Sequence, residues 1–193
     1  MDASVPIVLA SRSPTRKRLL LRLVRCFEVD APRVDESALA AGSPSELARR
    51  RAVAKAREVA KRRPGALIIA ADTLTVCAGE TLGKPAGRQD AVRILRRLTA
   101  RPHEVITAVC LRGPAGRELC RVNTARVEMR QMDEPEIEAL ASRPGALEKA
   151  GAYALEPGDP NVVRLQGDPT TVMGLPLDLL RAMMVELYEA EEE

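Results

Sequence analysis

The stretch IVLASRSPTRKRLL, residues 7 to 20, constrains the architecture more than any other. Ile7–Ala10 is an apolar run of the length of a short buried strand. It breaks at Ser11-Arg12-Ser13-Pro14, where Ser13 suits a helix N-cap and Pro14 a first helical turn, which tolerates a missing N–H. Leu19, Leu20, Leu23 and Val24 then form one apolar stripe, with Arg16, Lys17, Arg18, Arg22 and Arg25 on other faces. A secretory leader would place its charges before a longer apolar core, so the stretch reads as strand, loop and helix, and the expected location is the cytoplasm.

The same alternation continues. Cys26 to Asp30 reads as a second short strand. Ser43-Pro44-Ser45-Glu46 announces a helix running to about Arg63, with Ser43 as cap and Glu46 reaching back to complete a capping box. Ala66 to Ala71 and Leu74 to Cys77 read as strand-like runs interrupted at Asp72-Thr73, with a turn at Ala78-Gly79. A helix from about Arg88 to Leu98, a hairpin of Glu104 to Leu111 with Glu118 to Met129, and a helix starting at Asp133 to Glu136 follow. A strand around Val162 to Gln166 and a helix begun by Pro176 complete the chain. Helices alternating with strands, with a hairpin inserted, predict an α/β fold around a mixed sheet.

At 193 residues and 46% apolar content, the chain suits one domain over residues 1–193, built as two lobes sharing a core and ending in an acidic tail at 189–193. Aromatics are only 2%, which removes the stacking platforms of a single-strand nucleic-acid binder. The net charge of +3 is unevenly spread: residues 1 to 63 carry half of the Lys and Arg, which favours phosphate-bearing ligands. No run approaches the ~20 apolar residues that span a bilayer, so neither nucleic acid nor membrane is an expected partner. Cys26, Cys77, Cys110 and Cys120 show no CxxC spacing and read as reduced thiols, although Cys110 and Cys120 could face each other across the hairpin.

Chemistry concentrates at a few positions. A strand ending in Ser-Arg-Ser-Pro at a helix start offers backbone N–H groups, the Ser11 hydroxyl and Arg16 to an anion. Lys55, between small neighbours on a helix, and Lys84, in the stiff Leu-Gly-Lys-Pro turn, are candidate phosphate ligands. Asp35, Glu36 and Asp72 are the carboxylates available to a divalent cation, which one or two carboxylates hold together with phosphate oxygens. Asp72 follows an apolar run and is expected at the carboxyl end of its strand, where α/β proteins place ligand chemistry. Neither GxxxxGK[ST] nor GxGxxG occurs, which excludes a P-loop NTPase and leaves a dinucleotide site unsupported. His103 has no nucleophile beside it in the sequence and reads as structural.

Taken in order, SRSPTRKRLL, VDES, AKAR, ADTLTV, LGKP, HEVIT, KAGAY and GLPL resemble successive blocks of the Maf family, known as septum-formation inhibitors and nucleoside triphosphate pyrophosphatases. The resemblance implies a mixed, elongated sheet with two lobes around a cleft, related to the inosine triphosphate pyrophosphatases, and a homodimer. It also implies hydrolysis between the α- and β-phosphates with Mg²⁺ or Mn²⁺. By position, Asp72 resembles the family's catalytic base, Ser11, Arg16, Lys55 and Lys84 its phosphate ligands, and Glu36 its metal-linked carboxylate. Asp72 as a direct metal ligand stays open. Thr15, Thr73 and Glu156 fall where the family selects the base: Thr73 resembles the dTTP/UTP subfamily and points to pyrimidines, Glu156 resembles the 7-methyl-GTP subfamily and could accept from a guanine edge, and Thr15 matches neither of the two. A nucleotide-binding regulator of division with little hydrolysis is the alternative function.

Overall fold

The structure, a computed structural model, describes residues 5–153, 155 and 158–189. The first strand, β1 (Ile7–Ala10), leads into α1 (Pro14–Leu20), where the Ser13 hydroxyl accepts the Arg16 N–H as expected. β2 (Glu28–Val29) runs parallel to β1. After a single 3-10 turn at Glu36–Ala38 comes α2 (Pro44–Ala60). Ser43 caps α2, but its capping box is not completed. The Glu46 carboxylate turns instead to Arg49 and Arg50, since two guanidinium partners one turn away outcompete the reach back to the cap.

The expected interruption at Asp72-Thr73 does not exist: β3 runs unbroken from Leu67 to Cys77. It is parallel to β1 over Leu67–Ala70 and antiparallel to β4 (Glu80–Leu82) over Thr75–Cys77. Pairing from its neighbours holds the extended backbone through two residues whose composition alone reads as a break. Ala78 and Gly79 make the tight β3–β4 turn with φ of 51° and 79°, the doubly positive pair that a two-residue hairpin requires. α3 (Arg88–Ala100), β5 (His103–Arg112) and β6 (Glu118–Met129) follow. Then come α4 (Glu134–Ala141), β7 (Val162–Gln166), a short α5 (Pro169–Val172) absent from the sequence reading, and α6 (Leu177–Glu189).

The seven strands form one mixed sheet in the order β2-β1-β3-β5-β6-β7, with β4 attached to β3 and β7 antiparallel to β6. This is the α/β class that the alternating pattern predicts. The chain divides into two compact units, residues 1–72, 107–123 and 174–193 forming one and 73–106 with 124–173 the other.

In the first unit α2 packs against β1. Ala48, Ala52 and Ala56 repeat every fourth residue along α2 and are wholly buried, so their small side chains bring the helix close to the strand. Leu67 to Ala71 of β3 are all buried, the mark of a strand covered on both faces. Five such consecutive apolar residues supply much of the driving force, at about 25 cal/mol per Å² removed from water. In the second unit α3 packs on α4, and Leu95, Leu98, Val105 and Val127 join one apolar cluster. His103 is structural as expected: its Nε2 lies 2.8 Å from the Tyr153 hydroxyl, and the rings meet edge to face.

Candidate active site

The site gathers where β1 stops. Its last ladder residue, Ala10, pairs with Ala70, and the chain then turns away as Ser11 N–H donates back to Leu9 O at 3.0 Å. Asp72 therefore stands two residues beyond the end of that parallel ladder. This corrects the sequence reading in one respect: Asp72 lies in the middle of its own strand, and the carboxyl end that it adjoins is that of β1. The carboxyl end of a parallel strand is where such sheets place ligand chemistry.

Asp72 is 4% exposed and Lys55 7%. A buried carboxylate and a buried ammonium persist only when paired, and these pair with each other: Lys55 Nζ lies 2.6 Å from Asp72 Oδ1 and 2.8 Å from Glu36 Oε1. One ammonium thus bridges carboxylates from β3 and from the 3-10 turn. Asp72 Oδ2 is buried without a hydrogen-bond partner. A buried polar atom normally has a partner, so Oδ2 keeps an accepting position that no protein group fills.

The 3-10 turn is held in place from both sides. At its start Asp35 Oδ1 accepts the Ser37 N–H at 3.0 Å and hydroxyl at 2.6 Å. From α2, Arg51 donates Nη2 to the Glu36 carbonyl at 3.2 Å and brings Nη1 to 3.8 Å from Glu36 Oε2. Arg51 was not among the residues expected at the site. It precedes Lys55 by four positions, so both side chains share one helix face, and that spacing was the signal available in the sequence.

Ser11, 4% exposed, accepts the Ser13 N–H on Oγ at 3.1 Å. Because Ser13 Oγ in turn accepts the Arg16 N–H at 3.3 Å, part of the N–H cradle expected at the start of α1 is already used internally. The cation that remains is Arg16 itself. Its Nε donates to Gly174 O at 2.8 Å and Nη1 reaches Ser11 Oγ at 3.5 Å, which orients the guanidinium from two sides. Burial pulls the Arg16 pKa below its ordinary value, and the negative charges of Asp72 and Glu36 oppose that shift. Arg16 therefore shares an electrostatic environment with both carboxylates.

Within the first unit the structure joins Lys55 to Glu36 and Asp72 and, separately, Arg16 to Ser11, with the two carboxylates acting on Arg16 through their charge. Thr15 is half-buried on α1. Thr73, half-buried and next along β3, is the first residue of the second unit. Lys84 is exposed on the turn after β4 in that unit, where Gly83 O accepts the Gly151 N–H. Glu156 lies outside the described residues. Among the described residues no three or more His, Cys, Asp or Glu side chains cluster as a ready-made metal cage.

The chain is similar to proteins of known activity over nearly its whole length. A dTTP/UTP pyrophosphatase of Symbiobacterium thermophilum is 39% identical over 182 residues, 93% of each chain. One from Anaeromyxobacter dehalogenans is 40% identical over 182 residues, 92% of each chain. The Ham1 protein of Staphylococcus aureus gives a looser match, with a TM-score of 0.47 and 20% identity over 64% of this chain and 71% of the other. The family model described as Maf-like protein matches residues 6–187, and the chain belongs to the Maf family.

Proposed function

We propose that the protein is a nucleoside triphosphate pyrophosphatase that hydrolyses the bond between the α- and β-phosphates, with dTTP and UTP as the first substrates to test. The observation that carries this reading is the asymmetry of Asp72: Oδ1 is fixed by Lys55 while Oδ2 is buried and open. Family membership and the dTTP/UTP pyrophosphatase relatives support it.

In this reading Arg16 and Lys55 meet phosphate oxygens and Ser11 donates a hydroxyl hydrogen bond to them. Lys84 is proposed as a further phosphate ligand, and Thr15, Thr73 and Glu156 as residues that select the base. Asp72 Oδ2 accepts the proton of the attacking water, which forms a bond to the α-phosphorus as the bond to the bridging oxygen breaks and pyrophosphate leaves. A positioned general base contributes about 10²–10⁴ in rate. Fixed cations aimed at the charge developing on the leaving group add further stabilisation without reorganising.

A divalent cation fits the donor set. Glu36 presents a partly exposed carboxylate and Asp72 an open buried oxygen, the one or two carboxylates with which Mg²⁺ is held alongside substrate oxygens. Glu36 would hold the ion, with Asp72 Oδ2 the alternative donor. The ion would supply charge neutralisation on the phosphates. Arg51 would keep Glu36 aimed by its contacts to the carboxylate and the carbonyl. A homodimer belongs to the same proposal and is read by sedimentation.

The test is product analysis of the full chain with dTTP, UTP and other triphosphates, with Mg²⁺ or Mn²⁺ and again with chelator. The expected result is monophosphate and pyrophosphate in equal amounts, lost on chelation. Release of orthophosphate with a diphosphate, or no product from any triphosphate, overturns the proposal.

A further inference from the structure

The proposed hydrolysis uses none of the cysteines, and Cys26, Cys77, Cys110 and Cys120 are all free. Two of them meet. β5 and β6 are joined through Gly113-Pro114-Ala115-Gly116-Arg117, where Gly116 N–H donates to Gly113 O and Gly113 N–H to Arg117 O, each at 2.9 Å. Gly116 has φ of 91°. These bonds and the left-handed Gly116 have the pattern of the common three-residue hairpin loop. It sets 113 against 117, hence 112 against 118 and 110 against 120. The ion pair of Arg112 Nη1 with Glu118 Oε1, at 2.7 Å, marks that register.

Counting back from the hydrogen-bonded 113/117 pair, 110 and 120 fall at a non-hydrogen-bonded position. There the Cα atoms of antiparallel strands approach to about 4.5 Å, inside the ~4.4–6.8 Å that a disulfide accepts. Cys110 is wholly buried, while Cys120 is half-buried and its Sγ lies 3.9 Å from the Arg49 carbonyl. Interaction between the two facing thiols, followed by burial, pushes the Cys110 pKa up, and the same interaction, helped by the Arg49 cation, lowers that of Cys120 against its burial and the Glu118 and Glu46 carboxylates. Cys120 is thus both the reachable sulfur and the one that ionises first.

We propose that Cys110 and Cys120 form a modification site, a cross-strand dithiol that a peroxide oxidises to an intramolecular disulfide. In the first step the Cys120 thiolate attacks one peroxide oxygen. The O–O bond breaks, hydroxide leaves and takes up a proton as water, and Cys120 becomes a sulfenic acid. In the second step the Cys110 sulfur attacks the Cys120 sulfur. The S–O bond breaks, and the departing hydroxide takes the Cys110 proton as a second water. Two thiols are oxidised and one peroxide is reduced to two waters. Cys26, exposed but without a neighbouring thiol partner among the described contacts, is the internal reference: simple exposure would favour it over the pair.

The experiment treats the full chain with hydrogen peroxide, alkylates the remaining thiols and maps tryptic peptides by mass. Arginines 112 and 117 lie between the two cysteines, so a disulfide appears as two linked peptides with the loss of two hydrogens. The expected result is that link, with Cys26 still alkylated. In Cys110→Ala the reaction stops at a Cys120 sulfenic acid that dimedone traps, and in Cys120→Ser Cys110 remains alkylatable. Oxidation of Cys26 ahead of the pair overturns the proposal. So does Cys120 passing to sulfinic acid in the unmutated chain while Cys110 stays a free thiol.

Discussion

Replacing Lys55 by methionine keeps the length of the side chain while deleting its charge, and the structure sets the size of the effect. Lys55 is the partner that holds Asp72 Oδ1, and Asp72 Oδ2 has no partner already. Lys55→Met therefore leaves a carboxylate that is 4% exposed with neither oxygen paired to protein. Breaking a buried pair from one side costs about 3–5 kcal/mol. The contribution from Glu36, with its side chain 38% exposed, is screened by water and adds less than about 1 kcal/mol.

The reverse change is milder, because in Asp72→Asn the ammonium keeps Glu36 at 2.8 Å, and a loss of about 1 kcal/mol is expected. The two single variants should thus be unequal, with the double variant no less stable than Lys55→Met. Urea unfolding reads all three. With m of about 2 kcal/mol/M, Lys55→Met lowers the midpoint by roughly 1.5–2.5 M. Equal midpoints for the two single variants, or a Lys55→Met loss below about 1 kcal/mol at unchanged m, would refute a buried, one-sided pair.

Burial of His103 lowers its pKa from 6.5 to about 4. The unfolded chain then binds a proton that the folded chain refuses between those values, so stability present above pH 6.5 falls as pH drops to about 4, by of order 3 kcal/mol. His103→Phe should flatten that part of the stability profile in pH-resolved urea unfolding, and an unchanged slope would contradict the assignment. Gly151 has φ of 80°, and a Cβ there would meet Thr75 Oγ1 at 2.9 Å and Leu98 Cδ1 at 3.3 Å. Gly151→Ala should therefore cost about 1–3 kcal/mol in thermal unfolding, and a neutral result would show that the loop relaxes freely. Asp133 caps α4 with a reciprocal bond from Glu136, so Asp133→Ala should lose about 1 kcal/mol.

Much of this architecture was legible because local signals and tertiary pairing agree. Ser13 and Ser43 cap the helices that their sequences announce, and Pro14 and Pro44 begin them. Legibility failed where competition decides. Asp72-Thr73 reads as a break by composition, yet ladders on either side of it keep β3 extended. Glu46 has the spacing of a capping box, but its carboxylate goes to neighbouring arginines, while the box forms at Asp133 and Glu136.

At the site, Asp72, Lys55 and Glu36 could be named from their blocks, whereas Arg51 could not be separated from Arg49 and Arg50 by residue type. Packing separates them: the Arg49 and Arg50 side chains are 51% and 54% exposed, and that of Arg51 only 20%. The internal use of the N–H groups at the start of α1 was equally invisible, since the partner, Ser11 Oγ, is itself one of the expected phosphate ligands.

The proposed role of Asp72 Oδ2 is to activate water for attack on the α-phosphorus. It is tested most directly by pyrophosphate release from dTTP and UTP by Asp72→Asn beside the unmutated chain, with nucleotide affinity measured on both. The account predicts that kcat falls by at least about 10²-fold while affinity changes by far less, because Arg16, Lys55 and Ser11 remain. Retained turnover in Asp72→Asn would contradict it, and binding without turnover in the unmutated chain would leave a nucleotide-binding regulator as the better reading.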